Sequence, residues 1–462
     1  MRHVLLSCLC FLLLQPTAYT QHLWGCYSIG GTYGAGTFFR MDLGGGNLTR
    51  YFNCGVGDSG SPQTTFLPQP GNFYYGMTVS GGQYVRGDIY RFDVSSLQYT
   101  SLFSMDTASG YYPRGPLYKA GDGNLYGLTS NGGANGLGVL FRFDPSTNVY
   151  TKLHEFDGPT GQYPDGGVVQ AANGKIYGMT TTGGSAGGGG VIFSWDPATS
   201  TYLVEYSFSF SDGFTPFGTL TEYNGFLWGL TFGGGATGNG TLFRFDPSTS
   251  THLLKYSFDG TNGSAPQGNL TLGANGILYS AASQGGTNSY GVLFSFDTNN
   301  DQYTVLHDFD PLEGSRPRGQ LCYASDGKVY GTCFNGGANS FGSIYSYDPV
   351  TNIYATIDDG DFTDGGTPYA GLIEYAFTIG IEETDPNVVR FFPNPASRKI
   401  NYAVETGALP DQILVYDPLG RLCSTLLPVT NTGMLELEPG CYTLLIDWTD
   451  RRSSQRLVVT GE

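Results

Sequence analysis

At 462 residues the chain exceeds one ordinary small core, so it holds either several domains or one large repeat array. Its 22 Lys and Arg against 39 Asp and Glu give a formal charge of −17, which argues against nucleic acid and anionic membranes as partners. Only 13% of residues are charged while 15% are aromatic and 71 are Gly; this is the composition of short strands and tight turns, not of helices.

The first residues have the layout of a secretory signal. Arg2 and His3 precede an apolar run over 4–14 that is too short to span a bilayer, and Pro16 breaks it. Ala18 and Thr20 then put small residues before a cut at Gln21, which predicts a signal peptide over 1–20. A lipoprotein cut at Cys8 is the alternative, with too short an apolar run before it. No later stretch is apolar enough for a transmembrane segment. In an exported chain the remaining cysteines are compatible with disulfides. Cys322 and Cys333 flank a turn and are placed to bridge a hairpin, Cys423 and Cys441 form the only pair near the C-terminus, and Cys26 with Cys54 follows by elimination. No Cys/His cluster has zinc spacing, and neither a metal nor a cofactor is expected.

From Trp24 onward an aromatic residue followed by Gly recurs every 51 residues: Trp24-Gly25, Tyr75-Gly76, Tyr126-Gly127, Tyr177-Gly178, Trp228-Gly229 and Tyr330-Gly331, with Tyr279-Ser280 the one exception to Gly. A proline keeps the same step at Pro62, Pro113, Pro164, Pro216, Pro266, Pro317 and Pro368, with a single slip of one residue. In the third copy four runs, 115–120, 124–129, 138–144 and 149–157, alternate or stay apolar between Gly, Pro, Asn and Asp turns, which predicts four strands. Four strands in about 50 residues is the arithmetic of a β-propeller blade. The mature chain begins with a second strand and its last copy leaves a lone first strand near 368–375. The two ends therefore complete one blade, and the expectation is an all-β, seven-bladed β-propeller over 21–378, closed by its own termini.

The order Gly-Gly, aromatic-x-aromatic-Asp-Pro-x-Thr, aromatic resembles the kelch repeat. More closely, residues 125–158 resemble the Gloeobacter–Verrucomicrobia tandem repeat of bacterial surface proteins, a resemblance that covers roughly 22–376. It implies a propeller and no defined activity.

The period stops after Tyr375, and a polar linker over 379–390 leads to strand-like runs at 391–402, 413–423 and 439–459. A small immunoglobulin-like β-sandwich is expected over 391–462. This region resembles the C-terminal sorting domain of the type IX secretion system of Bacteroidota. Pro393-Asn394-Pro395 matches its opening motif, the turn Tyr416-Asp417-Pro418-Leu419-Gly420-Arg421 its central one, and Gly440-Cys441-Tyr442 its closing strands, with Arg456 where Lys is usual. The resemblance implies the type IX machinery as a partner, passage across the outer membrane after export to the periplasm, removal of the domain, and release or attachment through surface lipopolysaccharide.

Residues that recur in every blade are expected to serve the blade. His154 and His307 share one fourth-strand position, Arg40, Arg91, Arg142 and Arg244 one third-strand position, and Asp157, Asp259 and Asp310 a turn position. No nucleophile elbow, zincin motif or phosphate loop is present. What varies points elsewhere. The loop from second to third strand and the loop between blades share a face. The former carry Tyr33, Tyr84, Tyr290 and Phe341; the latter carry Tyr111, Tyr112, Tyr163 and Phe214, beside Asp165, Asp212, Asp361 and Asp364. Aromatic rings rimmed by carboxylates suit sugar rings. The expected function is a secreted or surface-attached binding module for a glycan or protein. The alternatives are a propeller-based polysaccharide lyase or hydrolase, which requires an acid cluster at the channel mouth, and a structural surface-layer component.

Overall fold

The third copy shows how the repeat becomes a sheet. Leu125–Thr129 is buried along its whole length and pairs antiparallel with Val139–Asp144, which in turn pairs with Val149–Glu155. Tyr118–Lys119 completes the four-stranded sheet on the other side. The middle strands are apolar on both faces because a neighbouring blade covers each face. The computed structural model describes residues 21–55 and 60–376 of this region, and further on 389–392, 399–404, 410–416, 422–427, 430, 432–437, 440–448 and 451–459.

Seven sheets of this kind form the ring. The last is closed as the repeat arithmetic requires: Gln21–Tyr27 pairs with Ile373–Ala376, setting Trp24 opposite Ile373. There is no single central core. Seven buried clusters each join two successive blades, as Tyr126, Leu128 and Leu140 of blade three meet Ile176, Val191 and Phe193 of blade four.

The two sequence markers meet at each of these interfaces. Gly138, with φ of +105°, opens the third strand of blade three; a Cβ there would stand 2.5 Å from the Thr129 carbonyl oxygen and 2.8 Å from Cδ of Pro164 in the next blade. The same Gly–Pro contact repeats around the ring, from Gly36 with Pro62 to Gly342 with Pro368. One residue before the proline, Tyr112, Tyr163, Thr215, Ala265, Arg316 and Thr367 all hold φ between 47° and 56°. That left-handed backbone costs a non-Gly residue about 1–2 kcal/mol. It is held by a bond across the interface, in which each N–H donates to a loop carbonyl of the preceding blade, Tyr163 to Leu137 at 2.9 Å and Ala265 to Asn239 at 2.8 Å.

A second set of contacts joins the fourth strands. Phe103 stacks on Tyr150 at 4.3 Å, His154 on Tyr202 at 3.7 Å, Tyr256 on Tyr303 at 3.9 Å and His307 on Tyr354 at 3.8 Å. The histidines are thus stacking partners at a repeat position, as their register predicts. The third-strand arginines likewise lie over aromatic rings, Arg40 over Tyr51 and Arg244 over Phe226. Asp157 and Asp259 accept turn N–H groups from Thr160 and Asn262. In blade five His252 stands where five other blades have Tyr and blade one has Leu48, and it stacks on Tyr206. The hydroxyls of Tyr150, Tyr202 and Tyr303 each donate to a loop carbonyl at 2.6 Å. His252 lacks that hydroxyl, its Nε2 is buried without a hydrogen-bond partner, and burial pushes its pKa down to about 4.

The structure does not bring Cys322 and Cys333 together. Register sets Cys322 opposite Tyr330 and Cys333 opposite Pro317. Their thiols enter different interfaces, Cys322 that with blade one and Cys333 that with blade six. Cys26 and Cys54 are buried in the interface of blades one and two, and Cys423 is exposed; the side chain of Cys441 lies outside the described residues.

A second compact unit, Thr378–Glu462, is also all strand where described. Val389–Phe392, Lys399–Val404 and Thr432–Glu436 form one antiparallel sheet; Leu422–Leu426, Gln412–Tyr416, Gly440–Trp448 and Arg451–Val459 form another. Alternate residues Ile413, Val415, Leu444 and Ile446 are buried. Tyr416 ends one strand, and Gly440 and Tyr442 open another. The signal segment, Pro393, Asn394, Pro395, Asp417, Gly420 and Arg421 lie outside the described residues.

Two stability measurements check this account. Gly136 has φ of +73° but open space around its Cβ position, whereas Gly138 has none. Urea unfolding should show Gly136→Ala costing about 1 kcal/mol and Gly138→Ala roughly 3, because backbone strain is then joined by a clash with the next blade. Equal costs would remove the interlock. His252 binds its proton less readily folded than unfolded, so its stabilisation is complete above pH 6.5 and is lost as pH falls toward 4. His252→Tyr should therefore lose about 2–3 kcal/mol less than the parent between pH 7 and pH 4.5. An unchanged pH dependence would contradict the assignment.

Candidate functional site

The segment that follows each marker proline leads into the innermost strand. Isolated bridges tie the residues just before it to the start of the second-to-third-strand loop, Tyr111 to Asn131, Gln162 to Thr182 and Phe214 to Gly233. The two loop types therefore share a face, and the residues after the prolines stand at the centre of that face.

In five of the seven blades the sequence there is Pro-x-Gly, with Thr64 and Ala370 in place of Gly in the other two, and the middle residue varies among Gln, Arg, Asp, Phe and Tyr. The glycine is required by crowding at the axis: a Cβ on Gly115 would lie 2.1 Å from the backbone of Gly166, and one on Gly166 2.2 Å from the Gly218 carbonyl oxygen. Deeper in, the blades are stitched by side chains. Thr219 Oγ1 accepts from Gly167 N–H at 2.7 Å, Asn269 Oδ1 from Thr219 N–H at 2.6 Å, and Gln320 Oε1 from the Asn269 amide at 3.3 Å.

At this layer lies a cavity of about 60 Å³, lined by the variable residues together with Thr219, Asn269 and Gln320. Two arginines enter it. Arg114 donates to Asp165 Oδ2 at 3.4 Å, and Asp165 accepts a second bond from Ser130 Oγ at 2.5 Å. Arg318 stands beside Tyr369 and lies 4.9 Å over the Phe334 ring, while its Nε is buried with no hydrogen-bond partner among the described residues. Burial lowers the Arg318 pKa and raises that of Tyr369, the nearby Asp165 charge adding to the latter. Gln63 and Gln267 supply neutral amides, and Phe217, edge-on to Phe232 at 5.5 Å, an apolar wall.

Around this mouth the loops present rings. Tyr33, Tyr84, Tyr112, Tyr163 and Tyr290 are exposed, one to a loop. Tyr111 is half-buried, 4.8 Å from Tyr112 and beneath Arg86. Phe214 and Phe341 are also half-buried, and each supports an exposed partner that sequence reasoning missed, Phe210 and Phe362. The acids divide. Asp165 belongs to the mouth. Asp212 is a turn cap that accepts Ser209 N–H at 2.8 Å and the Tyr206 hydroxyl. Asp361 caps Asp364 N–H, and Asp364 pairs with Arg50 at 3.4 Å. A lyase or hydrolase reading calls for an acid cluster here, whereas the described lining of the mouth includes one carboxylate, Asp165, and two guanidiniums, Arg114 and Arg318. Arg114, Arg318, Gln63, Gln267, Phe217 and Tyr369 were all missed. The signal that could have found them is variation at one position of a repeat that is otherwise regular.

Several solved structures are similar in fold. A Bacteroides fragilis NCTC 9343 protein, provisionally assigned as a 6-phosphogluconolactonase, has a TM-score of 0.53 at 15% identity, covering 78% of this chain and 99% of that one. A Lactobacillus plantarum protein has 0.50 at 12%, covering 77% and 99%. PorZ, described as a surface component of the type-IX secretion system of Porphyromonas gingivalis, has 0.42 at 13%, covering 91% and 62%. At such identities the likeness shows the fold alone. No curated protein matches. The family is shown by the repeat itself: residues 14–191 and 166–379 match the Gloeobacter/Verrucomicrobia repeat, and the chain belongs to that family.

Proposed function

We propose that the protein is an exported binding module that holds a glycan on the loop face of its propeller. The observation that carries this reading is the arrangement of five exposed tyrosines, one to a loop, on the face that holds a polar mouth. A sugar ring offers C–H groups to an aromatic face and hydroxyls to donors at its rim, and tyrosine supplies both at low entropic cost.

Export follows, on this proposal, from a signal peptide over 1–20 and a sorting domain over 391–462 with an immunoglobulin-like sandwich fold. The protein is then secreted or held at the outer-membrane surface, with the type IX machinery as its transport partner. The two antiparallel sheets of Thr378–Glu462 support this reading.

Each half has its own test. On a glycan array the purified protein should capture at least one oligosaccharide class. Tyr112→Ala and Tyr163→Ala should each weaken that capture at least tenfold, about 1.4 kcal/mol, with an unchanged melting temperature. An array with no bound glycan would end the proposal. For export, a periplasmic reporter fused to residues 379–462 should reach the surface or medium of a type IX-competent bacterium. It should stay inside when residues 391–462 are deleted; equal export of both fusions would contradict the sorting role.

A further inference from the structure

We propose that the axial mouth is a carboxylate site, and that the glycan it holds is an anionic polysaccharide whose uronic acid residues insert their carboxylates between Arg114 and Arg318. The inference rests on the glycan-binding reading and names its ligand class.

The first support is a surplus of donors. Two guanidiniums bring five N–H donors each. At the mouth Arg114 meets the Asp165 carboxylate at a long 3.4 Å, and Arg318 stands beside Tyr369. Arg318 Nε is buried with none. A buried donor without an acceptor is costly, so the site favours a ligand that brings acceptor oxygens. An Arg fork meets a planar carboxylate with two parallel bonds.

The second support is charge. The mouth holds two guanidiniums and one carboxylate, leaving one net positive charge in a protein whose formal charge is −17. One negative charge neutralises it, and Asp165 would repel a more highly charged group. Basic residues stacked on aromatic walls, as Arg318 is on Phe334, are held in place before a ligand arrives.

The third support is size and placement. A cavity of about 60 Å³ has room for a carboxylate group at the guanidiniums. A sugar ring that carries it would reach the exposed Tyr112 and Tyr163. These two stand just two residues before Arg114 and Asp165, on the same segments. Stacking above and a guanidinium below is the arrangement a uronate needs. It also favours a sugar over an acidic peptide, whose side chains offer no flat ring to the tyrosines.

The experiment titrates the full protein with oligosaccharides of galacturonic, glucuronic and mannuronic acid, each beside its carboxyl-reduced neutral counterpart. A sulfated oligosaccharide lacking carboxylates and an Asp/Glu-rich peptide are run alongside. At least one uronate should bind ten times or more tightly than its reduced form, and this advantage should shrink with added salt. Arg114→Gln and Arg318→Gln should each remove most of the advantage and leave the melting temperature unchanged, since Gln63 and Gln267 already occupy this ring position. Equal binding of a uronate and its reduced form would overturn the carboxylate site while leaving glycan binding intact. Preference for the sulfated probe or the peptide would overturn the uronate assignment. Failure of every glycan would remove the parent proposal with it.

Discussion

The contact between a glycine that opens one blade's third strand and the proline that opens the next blade's first strand is the constraint on which the ring depends. At Gly138 no side chain fits between the Thr129 carbonyl and Pro164. The proline fixes φ and donates no hydrogen bond, so the residue before it carries the link, its N–H reaching back to the previous blade from a left-handed backbone. Each of these features is unfavourable alone. Together they hold successive blades against one another, and the same Gly–Pro contact at all seven junctions lets the ends of the chain meet.

Closing the ring in this way leaves one residue per copy with little to do for the fold. It directly follows the marker proline and lines the mouth of the channel. The repeat holds its neighbours nearly fixed, yet this position carries Arg, Asp, Phe, Gln and Tyr. The mouth is therefore asymmetric inside a nearly symmetric frame. A symmetric ring could bind only along its axis; an asymmetric one, with Arg114 beside Asp165 and Arg318 beside Tyr369, can orient what it holds.

The parts of the fold that repeat were legible because repetition reports packing. The 51-residue step, the four runs in each copy and the unmatched end strands lead to seven blades and their closure. His154 and His307 were correctly read as blade residues from shared register alone. Two things were not legible. Cys322 and Cys333 flank a turn, but pairing register decides which residues meet, and it set Tyr330 opposite Cys322. Arg114 and Arg318 stand beside the strongest marker in the chain, yet which side chains converge on an axis is a property of the closed ring. Asp165 and Asp212 look alike in sequence; only the loop geometry makes one a mouth residue and the other a turn cap.

The central claim is that the frame and the function are separate sets of residues, divided at the position after each marker proline. The most direct measurement replaces Arg114, Asp165, Phe217, Arg318 and Tyr369 together by Gln, the residue already present as Gln63 and Gln267. The account predicts a ring that melts within about 5 °C of the parent and retains no measurable oligosaccharide. A chain that no longer folds, or one that still captures the parent's glycan, would contradict it.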